Sequence, residues 1–273
     1  MKHATSTIEQ TGKIYTHSIL KMKKKKPLSL RKVIKELFNI TLYNYQQDFL
    51  YDCINNQRIV GVFCRQTGKS MTIAMVAVIE AIKNPGSHIV IVAPTDRQAG
   101  ELFKKIADFV KDSPVSSEVS SVTMRQMVIK NSRISAFPCG DSGDTIRGMT
   151  ANVLIMEEAA YIKDSIVNQV LMPMVAATQG KVIKISTPFS MNHFYNSFQS
   201  DDAYKSHHYT WQHAVDAKHF TMDFIDEQKN QLGEHSIEFR TEYCAEFIPD
   251  EDAFFSWELI DKCVSDYEML GEI

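Results

Sequence analysis

The sequence feature that most constrains the fold is the stretch from Gly61 to Ser70. It follows an apolar run that predicts a buried strand, and it leads into residues 71–79, which predict a buried helix. A strand, a tight loop and a helix start can bind a phosphate chain, because backbone N–H groups and the helix dipole both favour an anion there. Lys69 can then reach the β- and γ-phosphates, and the Ser70 hydroxyl can ligate Mg²⁺.

The glycine pattern of this loop is incomplete. A full phosphate loop has a glycine five residues before Gly68, and Phe63 stands there. If the loop binds phosphate, Gln66, Thr67 and Gly68 surround the anion. The alternative is an ordinary helix start after a core strand, and the loop alone leaves both interpretations open.

The composition is that of a globular chain with a sizeable core. Hydrophobic residues make up 44% of the 273, and no apolar run is long enough to cross a membrane. The five cysteines have no C-x-x-C spacing, which argues against a zinc site or a disulfide framework and favours a reducing compartment.

Charge is distributed unevenly along the chain. Residues 1–35 hold ten Lys or Arg and one acid, although the whole chain carries −3. We predict a basic mobile arm at 1–27, which either contacts nucleic acid or an acidic partner or is a solvated leader. Residues 28–248 are predicted to form one domain with a small helical and linker subdomain in its latter part, and 249–273 an acidic linker or tail.

Strand and helix patterns alternate through the predicted domain. Apolar runs predict strands at 59–63, 88–95, 153–158 and 181–188. The alternation predicts an α/β fold with a mainly parallel central sheet flanked by helices, whose ligands bind at the carboxyl ends of the strands. Further segments predict a helix at 96–111, a hairpin from 122–129 and 133–137, and a strand at 209–211.

Two carboxylates, Glu157 and Glu158, end one predicted strand. The first can hold Mg²⁺ through its water shell, and the second can orient or deprotonate an attacking water. Adjacent like charges that are partly buried need a cation or a proton, so the pair predicts a chemical role.

Three other places carry candidate contacts, each with a structural alternative. Tyr45 and Gln46 could hold an adenine by stacking and by amide hydrogen bonds, or Tyr45 could pack within a helix. Thr187 ends a predicted strand and could sense a γ-phosphate, or it could mark a strand exit. Arg147 stands in a glycine-rich loop, where it could contact a ligand or brace the loop.

In combination, these motifs resemble the large terminase subunit of tailed bacteriophages over roughly 41–255. The loop Arg65-Gln66-Thr67-Gly68-Lys69-Ser70 is similar to the family's variant phosphate loop, which lacks the leading glycine. The other matching motifs are Tyr45-Gln46, Ala93-Pro94-Thr95, Thr145-Ile146-Arg147-Gly148, Glu157-Glu158 and Ser186-Thr187-Pro188.

The resemblance implies a P-loop NTPase of the RecA or additional-strand type that hydrolyses ATP with Mg²⁺ and pumps double-stranded DNA into a procapsid. It implies a portal protein and a small terminase subunit as partners, a homo-oligomeric ring that is usually a pentamer, no membrane, and location in the host cytoplasm.

The resemblance also implies residue roles. Lys69 and Ser70 would bind phosphate and Mg²⁺, and Arg65 would contact the γ-phosphate within its own subunit. Glu157 would support the metal, and Glu158 would activate water.

Two further roles follow from the resemblance, and two departures accompany it. Arg147 would be an arginine finger offered to a neighbouring subunit, and Thr187 would pass the hydrolysis signal to the DNA-gripping part.

Glu157 stands where the family usually has Asp, and the chain stops before the family's nuclease domain. We therefore expect no DNA cleavage by this chain. It would be either an isolated ATPase domain, a truncated product or one piece of a split terminase.

Two alternatives stay open at this point. One is a helicase-type DNA translocase, against which no second ATPase lobe is visible after Pro188. The other is a nucleotide-binding adaptor that does not hydrolyse ATP and docks on a portal or a nuclease partner.

Overall fold

The computed structural model describes residues 28–200 and 202–249, so the predicted arm at 1–27 and the acidic tail from Asp250 lie outside the described residues. The strands are β1 (Arg58–Phe63), β2 (His88–Ala93), β3 (Val119–Val122), β4 (Gln126–Ile129), β5 (Ser132–Pro138), β6 (Val153–Glu157), β7 (Lys181–Ser186) and β8 (Lys205–Tyr209).

The longer helices are α1 (Leu28–Phe38), α2 (Asn44–Asn55), α3 (Lys69–Lys83), α4 (Asp96–Lys111), α5 (His193–Gln199), α6 (Trp211–Asp216), α7 (Met222–Leu232) and α8 (Ile237–Glu242). A further helical stretch covers 164–174, and 3₁₀ turns include Asp144–Ile146 and Ala159–Tyr161. In the part of the chain that the structure describes, no helix is both long and apolar enough to cross a membrane.

The eight strands of the described residues form one sheet in the order β3-β4-β5-β2-β6-β7-β1-β8. The parallel pairs of neighbouring strands are β5-β2, β2-β6, β6-β7, β7-β1 and β1-β8. Strand β4 runs antiparallel to both β3 and β5. This confirms the predicted α/β fold with a mainly parallel central sheet. The carboxyl ends of β1, β6 and β7 meet at one edge because these strands are neighbours and point the same way.

The two faces of the sheet are buried by different elements. Ile59, Ile183 and other alternate strand residues face a core shared with α1 to α4. Val60 and Val182 face the opposite core, which includes the stretch 164–174 and α5. Because they are covered on both faces, the central strands have continuous apolar sequences, which is why the sequence pattern located them.

Two sequence predictions need correction. The strand predicted at 209–211 ends at Tyr209, and a helix begins at Trp211, because Thr210 caps it in a capping box with His213. The hairpin is present, with Lys130 and Asn131 at φ 50° and 68° in its turn, but its first strand begins only at Gln126. A separate edge strand, β3, precedes it.

A buried ion pair joins the layers beneath the sheet's amino-terminal edge. The Nζ atom of Lys181 lies 2.6 Å from Oε1 of Glu80, and both side chains are almost completely buried. The same Nζ donates to the carbonyls of Cys53 and Ile54 at the end of α2. One ammonium therefore connects β7, α3 and α2.

We expect Glu80→Gln to lower the free energy of unfolding by roughly 3 kcal/mol, because it leaves the buried Lys181 ammonium without its counter-charge. Urea unfolding at pH 7 measures this. The matched control is Glu36→Gln, which breaks the exposed Lys32–Glu36 pair (3.8 Å) and should cost below about 0.5 kcal/mol. Similar losses in both variants would mean that the buried pair has no special weight.

Candidate active site

The loop at 64–68 connects the end of β1 to α3, at the edge where the strand ends converge. Neighbouring backbone fixes its entrance: Cys64 N–H donates to the Tyr209 carbonyl at 2.8 Å, and Arg65 N–H donates to the Glu242 carbonyl at 2.7 Å. Inside the loop, the Thr67 hydroxyl donates to the Cys64 carbonyl at 2.7 Å. The loop conformation is therefore set by β8 and α8, which lie far away in sequence.

Gln46 stabilises the loop through a hydrogen bond to the loop backbone. This residue is 1% exposed, and its Nε2 donates to the Thr67 carbonyl at 2.9 Å. Its Oε1 accepts from the Tyr43 N–H at 3.1 Å. Gly68 has φ +80°, and a Cβ atom there would lie 2.5 Å from the Gln46 Nε2. Glycine is needed at this position for its backbone conformation and for the close approach of Gln46.

Two pairs of side chains converge beside this loop. Lys69 Nζ lies 3.8 Å from the Glu158 carboxylate, with the Lys69 side chain 9% exposed. The Ser70 hydroxyl donates to Oε1 of Glu157. Ser186 at the end of β7 donates to the other Glu158 oxygen at 2.9 Å. Three chain segments thus bring a cation, two hydroxyls and two carboxylates together.

Glu157 is buried, at 5% exposure. Burial raises the pKa of Glu157; the Ser70 hydrogen bond opposes this, and the neighbouring Glu158 charge adds to it. A buried carboxylate beside a hydroxyl is an oxygen donor set that suits Mg²⁺, which takes few protein ligands and keeps several waters. Within residues 28–200 and 202–249 there is no cluster of three or more His, Cys, Asp or Glu fit for a metal, so a cation here would also need phosphate or water ligands.

Glu158 differs from Glu157 in its surroundings. Its backbone is left-handed, with φ 48° and ψ 47°, which is an uncommon conformation for a residue with a side chain. This turn directs the carboxylate toward Lys69 and Ser186, and 21% of the side chain is exposed. A partly solvated carboxylate next to a buried cation can accept a proton from a water molecule.

Thr187 lies at the same edge but points elsewhere. It is 5% exposed, and the closeness of its side chain to the Tyr161 hydroxyl opposes the rise that burial causes in the pKa of Tyr161. The ring of Tyr161 stacks on Phe189 at 4.5 Å. Thr187 therefore contacts the turn after the carboxylates, whereas its neighbour Ser186 contacts Glu158 directly.

The aromatic residues before the loop form a stack at its outer side. Tyr45 is 4% exposed, and its hydroxyl lies 3.1 Å from the Thr67 carbonyl and 2.6 Å from His219 Nδ1. The ring of Tyr43 stacks on His219 with 4.4 Å between centroids. Tyr43 is less buried than Tyr45, and sequence reasoning missed it, although an aromatic residue three positions before Gln46 was a visible signal.

Two candidate arginines stay at the surface. The Arg65 side chain is 64% exposed and pairs with Glu242 at 3.6 Å, next to the exposed Gln66, whose φ is 58°. The Arg147 side chain is 56% exposed and pairs with Asp144 at 3.8 Å in its own loop. In the part of the chain that the structure describes, each guanidinium group therefore has a solvent-accessible carboxylate partner, and such pairs cost little to break.

The sequence matches the profile of the family described as "Terminase large subunit, T4likevirus-type, N-terminal" over residues 60–262. This chain belongs to that family. The large terminase subunit of Thermus phage G20c is 28% identical over 240 residues, which cover 73% of this chain and 48% of that protein. The terminase chain thus spans about half the length of this curated relative.

Solved structures agree with this membership at the level of the fold. The large terminase ATPase domain of Thermus phage P74-26 matches with a TM-score of 0.66 and 24% identity, covering 80% of this chain and 98% of that one. The large terminase of a thermophilic bacteriophage in complex with ADP matches with a TM-score of 0.60 and 13% identity, covering 76% and 54%. The terminase chain therefore has the fold of these solved terminase structures, in agreement with the predicted α/β architecture.

We expect Gly68→Ala to destabilise the protein by about 2 kcal/mol or more, since left-handed backbone strain and the clash with Gln46 add together. Gly86→Ala is the matched control, because Gly86 has φ +84° and the Cβ atom of an alanine there would meet nothing within 4 Å. That variant should lose only about 1 kcal/mol. Urea unfolding of both compares them, and equal losses would show that Gln46 moves aside freely.

We expect Glu157→Gln to make the nucleotide-free terminase chain more stable at pH 7 to 8, because the amide can still accept from Ser70 without the cost of a buried charge. In the folded chain the pKa of Glu157 lies above its ordinary value. Protonation of Glu157 therefore stabilises the fold, and this stabilisation is lost as the pH rises through the pKa of the folded state. The gain of the amide variant should therefore shrink as the pH falls toward 4.5, the ordinary pKa of Glu.

Thermal unfolding across this pH range measures the difference. The control is Glu101→Gln, which removes an exposed carboxylate paired with Arg97 at 3.6 Å and should change little. A lower stability for Glu157→Gln at pH 8 would mean that the ionised carboxylate is compensated by nearby ammonium groups.

Proposed function

We propose that this chain hydrolyses ATP and that, within a larger motor, this drives double-stranded viral DNA into a procapsid. The convergence of Lys69 with Glu158 and of Ser70 with Glu157 beside the loop carries the proposal. Phosphoryl transfer depends on positioning and charge stabilisation rather than on covalent chemistry by the protein. A cation for the phosphates and two carboxylates with different surroundings meet that requirement.

The Lys69–Glu158 pair takes different partners when a triphosphate binds. The backbone N–H groups of the loop and of the first turn of α3 receive the phosphate oxygens. Lys69 turns from Glu158 to the β- and γ-phosphates, a short movement from a 3.8 Å pair. Glu158, still held by Ser186, then accepts a proton from the water whose oxygen attacks the γ-phosphorus. The bond from the γ-phosphorus to the β,γ-bridging oxygen breaks, and ADP leaves with that oxygen.

Ser70 and Glu157 would hold Mg²⁺, which supplies positive charge to the β- and γ-phosphate oxygens when bound. Glu157 stands where Asp is usual in the family, but its longer side chain already reaches the Ser70 hydroxyl. The substitution of Glu for Asp is therefore compatible with the same role.

For the adenine, we propose Tyr43 as the stacking surface and Gln46 as the link between base and loop. Tyr45 lies behind them, buried, with its hydroxyl on the Thr67 carbonyl. The large terminase of the thermophilic bacteriophage was solved with ADP and with ATP-gamma-S, which supports nucleotide binding by this fold. Thr187 would pass the state of the γ-phosphate on through its contact with Tyr161.

Family membership supports our proposals for the motor and its partners. We propose a homo-oligomeric ring, pentameric in the assembled motor, that acts with a portal protein and a small terminase subunit on double-stranded DNA in the host cytoplasm. In such a ring Arg65 would contact the γ-phosphate of its own subunit, and Arg147 would reach the site of a neighbour. The exposure of both guanidinium groups is consistent with these roles.

We expect Lys69→Ala and Glu158→Gln each to lower Mg²⁺-dependent ATP hydrolysis by at least about a hundredfold, because each removes a group that acts on the transferred phosphoryl or the water. Steady-state phosphate release with and without double-stranded DNA measures this, and EDTA should abolish it. Glu101→Gln on the exposed face of α4 is the control. ATP binding without turnover in the parent chain would favour the adaptor alternative.

For Arg147→Ala, we expect normal turnover per subunit in dilute protein and loss of the increase that appears at high concentration. An arginine supplied by a neighbour stabilises transition-state charge, and such a residue is typically worth about a thousandfold or more in rate. Hydrolysis measured against protein concentration tests this. An equal loss at all concentrations would place Arg147 in its own subunit's site.

A further inference from the structure

Lys184 is a buried lysine to which the proposed reaction assigns no part. It lies within β7, paired in register with Val60 of β1 and Met156 of β6, and it is 3% exposed. An ammonium group among such neighbours is costly unless each of its N–H groups is bonded. Its position in the strand that ends at Ser186 makes its partners informative.

All three N–H groups of Lys184 have partners on α5. Nζ lies 3.0 Å from His193 Nδ1, 3.3 Å from the His193 carbonyl and 2.9 Å from the Ser197 hydroxyl. It also lies 5.4 Å from the centre of the Tyr204 ring. Lys184 is thus fully bonded, and it connects the middle of β7 to the first turn of α5.

These contacts determine the proton position on His193. Because Lys184 donates to Nδ1, the imidazole carries its proton on Nε2, which donates to the Ile162 carbonyl at 3.1 Å. The His193 backbone N–H donates to Asp164 at 3.0 Å. Burial and the Lys184 charge lower the pKa of His193 to about 4, and burial lowers the pKa of Lys184 to about 8, so both keep these roles at neutral pH.

Ile162 ends the turn that begins at Glu158, because its N–H donates to the Ala159 carbonyl at 3.1 Å. This turn, Ala159–Tyr161, follows the left-handed backbone of Glu158, a conformation that persists only where the surroundings hold it. Ser186 faces the same side of β7 as Lys184 and holds the Glu158 carboxylate at 2.9 Å. One strand therefore holds Glu158 twice, at its carboxylate directly and at its turn through His193.

We propose that Lys184 and His193 form a positioning pair, which holds Glu158 in place for the proposed hydrolysis and transmits its position to α5. The inference rests on the proposed function. Neither residue touches substrate. Their contribution is the orientation of the carboxylate that accepts the water proton, so their loss should change turnover without changing the grip of the phosphate loop on ATP.

The test compares kcat and KM for ATP, and the affinity for a fluorescent ATP analogue, in the full chain and its variants. Lys184→Met keeps the length of the side chain but removes the charge and its three donors. We expect kcat to fall by at least about tenfold, while KM and analogue affinity stay within about twofold, because a misplaced catalytic group lowers rate rather than binding. Lys163→Met, an exposed lysine next to Ile162, is the matched control and should leave both constants unchanged.

A second pair of variants separates positioning from simple loss of structure. His193→Gln retains an acceptor for Lys184 and a donor for Ile162, so it should recover most of the kcat that His193→Leu loses. This pair also serves if Lys184→Met does not fold, which thermal unfolding and circular dichroism would reveal. Equal kcat for the Gln and Leu variants would overturn the proposed positioning pair.

The outcomes distinguish the two proposals. If the parent chain shows no hydrolysis that depends on Lys69, the proposed function itself is wrong. If the parent hydrolyses ATP and Lys184→Met keeps kcat within about twofold, the positioning pair alone is wrong. A parallel loss of kcat and analogue affinity would assign Lys184 to general stability and would also overturn this inference.

Discussion

The parallel pairing of β6, β7 and β1 is the constraint on which the rest of the molecule depends. Glu157 pairs with Ile185, and Ser186 pairs with Val62, so the ends of three strands lie side by side. A parallel sheet places every carboxyl end at the same edge, which brings groups 87 residues apart into hydrogen-bonding distance. A one-residue slip in this register would turn the strand side chains to the opposite face.

The same sheet contains an unusual amount of charge for a structure buried on both faces. Lys181 at one end of β7 pairs with a carboxylate, Lys184 in the middle donates to neutral acceptors on α5, and Glu157 ends the next strand beside a hydroxyl. Each of these three groups has a different kind of hydrogen-bond partner, and the kind of partner varies with the position of the group in the sheet. The pair near the amino-terminal edge joins layers, whereas the groups toward the carboxyl edge surround the proposed reaction site.

Local pattern located the main elements well. The apolar runs of the central strands and the amphipathic pattern of α4 were predictable because burial on both faces or on one stripe leaves a direct mark on sequence. The start of α6 at Trp211 was not, since the contact of the Thr210 N–H with His213 Nδ1, at 3.2 Å, caps the helix against the β-preference of Tyr209 and Trp211. The support of the loop by Gln46 was also hidden, because the amide contacts a carbonyl 21 residues away.

The residues by themselves predicted the chemistry proposed for this terminase-family chain: a candidate phosphate loop around Lys69 and Ser70, two acids after an apolar strand, and the α/β alternation that places them together. Tertiary structure decided the surroundings of each of these groups. It buried Glu157 against Ser70, left Glu158 facing Lys69 and Ser186, and placed Lys184 behind them. Those differences arise from burial and from contacts between distant segments, which no local pattern of residue types records.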